Sequence, residues 1–126
     1  MKVKANQFWK NTGCDLERDA EYQASWTVVS PWIDVRIPTD PETGNLRNPI
    51  LLRLFAFTKR FRAAPFLALI GCVDQRKETF IPIVRDRRFQ VKRSGRLWVF
   101  ANDAPFGWYY RNNKGELEFT VLKCSG

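Results

Sequence analysis

The chain of 126 residues carries 21 Lys and Arg against 13 Asp and Glu, a formal charge of +8, and contains no histidine. Without imidazole, Ser-His-Asp and Cys-His catalysis, histidine-bearing zinc sites and imidazole proton transfer are excluded. The length suits one domain, residues 1–126, and 44% hydrophobic residues with 10 Phe, 5 Trp and 3 Tyr are a globular composition, not a disordered one.

From the N-terminus, Met1 to Gln7 lack the apolar run of about 7–15 residues that a signal peptide needs, and no later stretch approaches the ~20 apolar residues of a membrane span. The expectation is a cytoplasmic protein without a transmembrane segment, with signal-less export as the alternative. Cys14, Cys72 and Cys124 are far apart and never form a Cys-x-x-Cys pair, so they read as free thiols and not as a disulfide framework or a zinc cluster. Period-two alternation predicts half-buried strands over Glu21 to Val29, Trp32 to Ile37, Arg96 to Ala101 and Glu116 to Leu122. The apolar runs Ile50 to Phe57 and Phe66 to Cys72 lack a period, and their length and flanking prolines favour strand over helix. Thr39 to Gly44 and Lys92 to Gly95 have turn composition, and the 7 prolines leave little room for a long helix. Many short strands divided by turns predict an all-β fold, a small antiparallel β-sandwich.

Leu97 to Val121 is the stretch with chemical content. A strand ends at Ala101 and delivers Asn102 and Asp103; a loop with Pro105 and Gly107 follows, and the chain returns through Asn112, Asn113 and Gly115 into the last strand. A carboxylate, two amide oxygens and free backbone carbonyls are the hard donors of which a calcium site is made, since Ca²⁺ takes about 6–8 oxygen ligands with loose angular demands. Asn-Asn-Lys-Gly is equally a tight turn whose asparagines tolerate left-handed backbone angles.

This segment resembles the C-terminal loop of the LecA-like galactose-binding bacterial lectins. In that family Asn-Asp, a Pro-containing loop and Asn-Asn-x-Gly lead into a last strand ending Phe-x-Val. Leu69-Ile-Gly-Cys72, a polar turn and Phe80-Ile-Pro-Ile83 resemble its strand-turn-strand ahead of the loop. Asn11-Thr-Gly13 and the strand of Trp32 resemble its opening hairpins. The resemblance implies a jelly-roll-like sandwich with a Ca²⁺ ion near one end, whose coordination a sugar completes through vicinal hydroxyls. Asp103, Asn112 and Asn113 then match the side-chain metal ligands, and Asp103 and Asn112 also the sugar contacts. Backbone carbonyl ligands fall near Tyr109 and near Val35.

Two departures from the family matter. The loop between Asp103 and Asn112 is longer, and its Phe106, Trp108, Tyr109 and Tyr110 include candidates for a wall against a sugar face, Trp108 and Tyr110 foremost. The family's histidine contact to galactose has no counterpart, and Pro38 to Pro49 offers only Asp40, Glu42, Asn45, Arg47 and Asn48 in its place. The implied function is therefore a calcium-dependent carbohydrate-binding module with a specificity altered from galactose. The alternative is a non-catalytic interaction or oligomerisation module that keeps the sandwich without the sugar site. No paired carboxylates, nucleophile-base arrangement or phosphate loop suggests an enzyme.

Three basic clusters, Lys59/Arg60/Arg62, Arg85/Arg87/Arg88 and Lys92/Arg93/Arg96, have no nucleic-acid-binding motif beside them. They read as charged strand edges, which resist edge-to-edge pairing, or as a footprint for an acidic or phosphorylated glycan. A homo-oligomer is compatible with either function.

Overall fold

A computed structural model of the chain describes residues 1–34, 37–38, 68–102 and 113–124, with the backbone alone at 32–34 and 37–38. Nine strands occupy these residues: β1 (Lys2–Lys4), β2 (Lys10–Leu16), β3 (Glu21–Asp34), β4 (Ile37–Pro38), β5 (Leu69–Val73), β6 (Ile81–Pro82), β7 (Arg88–Gln90), β8 (Gly95–Ala101) and β9 (Asn113–Lys123). A single 3-10 turn at Lys77–Thr79 lies between β5 and β6. Every pairing is antiparallel. One sheet has five strands in the order β1-β9-β3-β4, with β7 also pairing β3; the other has four, in the order β2-β8-β5-β6. From β6 onward each successive strand crosses to the other sheet. The all-β sandwich expected from the pattern is thus the fold.

The two inner faces meet in one core. Tyr22, Ala24 and Trp26 of β3 and Leu117 and Phe119 of β9 face Leu69, Val73, Leu97, Val99 and Ala101 of the opposite sheet. Trp26 stacks on Phe119 at 6.1 Å, and Tyr22 meets Phe89 of β7 at 6.0 Å. The Tyr22 hydroxyl accepts a hydrogen bond from the Glu17 amide at 2.7 Å, so its polar tip is satisfied where the ring is buried. A second cluster, Ala68, Ile70 and Phe100 with Trp9 and Phe80 packed on it, covers the other face of β5 and β8. All five residues of β5 are therefore buried, which explains why this run shows no alternation in sequence.

The expected strand at 21–29 and the first part of that at 32–37 are one 14-residue strand, β3, that continues through Pro31, while Ile37 belongs to β4. Proline cannot donate to a ladder, so it is tolerated in strand interiors mainly at bulges. Pro31 falls inside a register shift between Ser30 and Ile33. The turn composition at Lys92 to Gly95 corresponds to the connection from β7 to β8, which crosses between sheets. The run Ile50 to Phe57 and the turn Thr39 to Gly44 lie outside the described residues.

Between β5 and the 3-10 turn, Asp74 (φ 53°) and Gln75 (φ 59°) are both left-handed, and the Arg76 amide closes the turn on the Val73 carbonyl at 3.0 Å. Two central residues at positive φ are the signature of a type I′ turn. The turn docks on the start of β8: Asp74 Oδ1 accepts from the Arg96 amide at 2.9 Å, and a side chain at Gly95 would run into Asp74 Oδ2 and meet Val73 Cγ1 at 2.6 Å. Gly95→Ala is therefore expected to destabilise the fold by about 1–3 kcal/mol through overpacking. Gln75→Gly relieves a left-handed residue and is expected to raise stability slightly, by up to about 1 kcal/mol. Urea melts of the two variants check both signs.

Candidate functional site

The candidate site lies at the end of the sandwich where β8 stops at Ala101 in one sheet and β9 starts at Asn113 in the other, either side of the expected loop 103–112, which lies outside the described residues. β1 ends at Lys4, opposite Glu116 of β9, and β2 begins at Lys10, opposite Val99 of β8. The β1–β2 connection therefore runs across the same end of the sandwich as that loop. β3 ends there too, with Asp34 and Asn113 as its last register pair.

Asn113 is the predicted ligand that the structure describes. It is 1% exposed, at the start of β9 and in phase with Leu117 and Phe119, so it belongs to the inner face. Its Nδ2 donates to the Ala5 carbonyl at 3.2 Å, while the Ala5 amide donates to the Gly115 carbonyl at 3.0 Å. This pair of bonds ties the β1–β2 connection to the beginning of β9 and orients the Asn113 side-chain amide. Asn102, at the other foot of the loop, is completely buried, and its amide donates to the Ala68 carbonyl at 2.9 Å, one step beyond the Leu69–Ala101 pair. Sequence alternation could have found the burial of Asn113, since it is in phase with the apolar residues of β9; nothing in the sequence marked Asn102 as buried.

Asp103, Asn112, Tyr109 and Val35, and the wall candidates Trp108 and Tyr110, lie outside the described residues. Their sequence neighbours are placed: Asn102 and Asn113 bracket the loop, and Asp34, which precedes Val35, is the register partner of Asn113. Among the described residues, no group of three His, Cys, Asp or Glu side chains is arranged to hold a metal.

Away from this end, three of the basic-cluster residues, and Lys123 besides, meet carboxylates from distant parts of the chain. Arg96 is held by Asp15 across β2 and β8 at 2.7 Å, with a second contact at 3.4 Å, and Arg88 by Glu21 across β3 and β7 at 2.9 Å. Lys92 lies 3.7 Å from Asp19, and Lys123 3.0 Å from Glu17. The Arg96 guanidinium, by its hydrogen bond and then its charge, holds the Asp15 carboxyl below the ordinary aspartate value of 3.8. Such exposed pairs add little to stability. The cluster Lys59/Arg60/Arg62 lies outside the described residues.

The class defined by these two sheets is a small antiparallel β-sandwich. In particular, the chain is similar to a solved structure described as the EclA N-terminal domain, a PllA-like lectin, with a TM-score of 0.58. The match covers 98% of this chain and 93% of that one at 22% sequence identity, a likeness in fold. No protein-family model matches the sequence, and no curated protein does. The sandwich implied by the resemblance to LecA-like lectins is therefore supported at the level of fold. Among the described residues, no helix is long and apolar enough to cross a membrane.

The Asp15–Arg96 pair gives a pH test with a definite sign. Because the folded carboxyl titrates below its unfolded value, the pair's contribution is present above about pH 4 and is lost as pH falls through the folded value. In Arg96→Met, the Asp15 titration followed by carboxyl NMR is expected to move up toward the ordinary value. The stability difference from the parent chain is expected to close in acid.

Proposed function

We propose that this chain is a non-catalytic, calcium-dependent carbohydrate-binding module whose sugar specificity differs from galactose. The observation that carries the reading is the placement of Asn113. It is a buried amide at the foot of the loop 103–112, oriented by the Ala5 carbonyl and paired in register with Asp34. The lectin-type fold of the neighbouring structure supports carbohydrate binding as the class of activity.

The donor chemistry fits calcium. Asp103, Asn112 and Asn113 supply carboxylate and amide oxygens, and carbonyls near Tyr109 and Val35 would complete a hard-oxygen set, in a chain whose lack of histidine and scattered cysteines are unsuited to zinc. When bound, calcium supplies a hard cation to which vicinal sugar hydroxyls coordinate. The chain's own residues do the remaining work. Asn113, whose Nδ2 is committed to Ala5, would contribute its amide oxygen, Asp103 would bring the negative charge, and Trp108 and Tyr110 would be the ring candidates on which the C–H face of a pyranose packs. With no histidine in the chain, the galactose contact of the LecA-like lectins has no equivalent, so the ring substituents recognised here are different ones.

Binding that favours the folded state raises its stability by about 2.7 kcal/mol at a hundredfold excess over the dissociation constant. Millimolar calcium is therefore expected to raise the melting temperature of the metal-free protein, and EDTA to reverse the rise. Asn113→Ala is expected to abolish the calcium-dependent increment whatever its effect on the baseline. On a glycan array, signals are expected with calcium and not with EDTA. A chelator-insensitive melting temperature together with a blank array would replace this reading with the interaction module.

A further inference from the structure

The end of the sandwich that carries Asn113 is shaped in part by the short turn that follows β1. β1 lies at the edge of its sheet, with β9 as its neighbour. Successive residues of a strand direct their amides to opposite edges. The Ala5 amide donates to the Gly115 carbonyl of β9 at 3.0 Å, so the Lys4 amide, one residue earlier, faces the open edge. Gln7 meets it there. Its Oε1 accepts from the Lys4 amide at 2.9 Å, and its own amide donates to the Lys4 carbonyl at 3.2 Å. The two bonds clamp a turn from Lys4 to Gln7 with Ala5 and Asn6 at its centre.

The peptide that joins Ala5 to Asn6 is the part of this turn that reaches the site. Ala5 is fully buried, and its carbonyl accepts from Asn113 Nδ2 at 3.2 Å. The central peptide of a β-turn is the one that turns over between type I and type II, and type II puts its third residue at positive φ. Asn6, the third residue here, is not at positive φ. Turned over, the same peptide would aim the Asn6 N–H at Asn113 in place of the Ala5 carbonyl. A side-chain amide has one donating and one accepting end, so it follows the peptide that faces it. A carbonyl draws Nδ2, whereas an N–H would draw Oδ1 and turn the NH2 end, which repels a cation, toward the ligand.

We propose that Gln7 is a positioning residue for the calcium site: its clamp on Lys4 keeps the Ala5 carbonyl on Asn113 and so presets the sense in which that amide meets the cation. This role rests on the calcium-dependent reading of the site. Gln7 acts through the turn and is assigned no contact with cation or sugar.

Calcium affinity by isothermal titration and the side-chain NH2 resonances of Asn113 in the metal-free protein test the role, at about 0.5 M salt, which screens charges beyond a few ångströms. Gln7→Met keeps the length of the side chain and removes the acceptor, whereas Gln7→Glu keeps the acceptor. Gly95→Ala strains the fold at the start of β8, the opposite end of that strand from Ala101. Gln7→Met is expected to move the Asn113 resonances and to weaken calcium binding by about three- to tenfold, the scale of one lost hydrogen bond. Gln7→Glu is expected to restore both, and Gly95→Ala to change neither. The role is overturned if Gln7→Met keeps the parent's resonances or affinity, if Gln7→Glu does not restore them, or if Gly95→Ala weakens calcium binding as much. A parent chain that takes up no calcium overturns the calcium-dependent reading and this role with it, whereas a parent that binds calcium no tighter than Gln7→Met overturns this role alone.

Discussion

The pairing of β3 with β9 is the constraint on which the rest of the molecule depends. Ten register pairs run from Tyr22–Lys123 to Asp34–Asn113 and join the two longest strands of the five-stranded sheet. Because side chains alternate across a strand, this one register decides at once that Ala24, Trp26, Leu117 and Phe119 face the opposite sheet while Gln23, Ser25, Thr120 and Leu122 face out. It also carries the chain from the core to the end where the loop 103–112 begins and ends. The irregularities at Val28, Ser30 and Ile33 lie in the part of β3 beyond Trp26, so the strand adjusts where the core no longer holds it.

The charge of the chain acquires a structural meaning from this scaffold. Asp15–Arg96, Glu21–Arg88 and Glu17–Lys123 each join segments far apart in sequence and lie on strands or their flanks. They convert much of what reads as a basic run into cross-strand pairs. The end bearing Asn113 is a place of buried amides and backbone carbonyls.

The sequence made the half-buried strands legible because burial on one face imposes a period of two, as at Tyr22, Ala24 and Trp26 and at Leu97, Val99 and Ala101. The period was lost where both faces are covered, as in β5, and the continuity of β3 was hidden because Pro31 reads as a break unless a bulge is known to accommodate it. β1 and β7, of three residues each, are too short to show a pattern and form because longer neighbours template them. At the candidate site, the resemblance of Asn112-Asn-Lys-Gly115 to a lectin loop selected Asn113, and the structure adds what spacing could not contain: its bond to Ala5 and its pairing with Asp34. Arg96 and Arg88 were legible as charge but not as pairs, because Asp15 and Glu21 are brought to them only by the folded sheets.

The central claim is that the end of the sandwich marked by Asn113 holds a cation through oxygen ligands. The most direct measurement is anomalous diffraction from crystals grown with calcium. The account predicts one peak within coordinating distance, about 2.3–2.6 Å, of Asn113 Oδ1 and of oxygens from the loop 103–112. A well-ordered loop with no peak there, or a peak whose shell excludes Asn113, would contradict it.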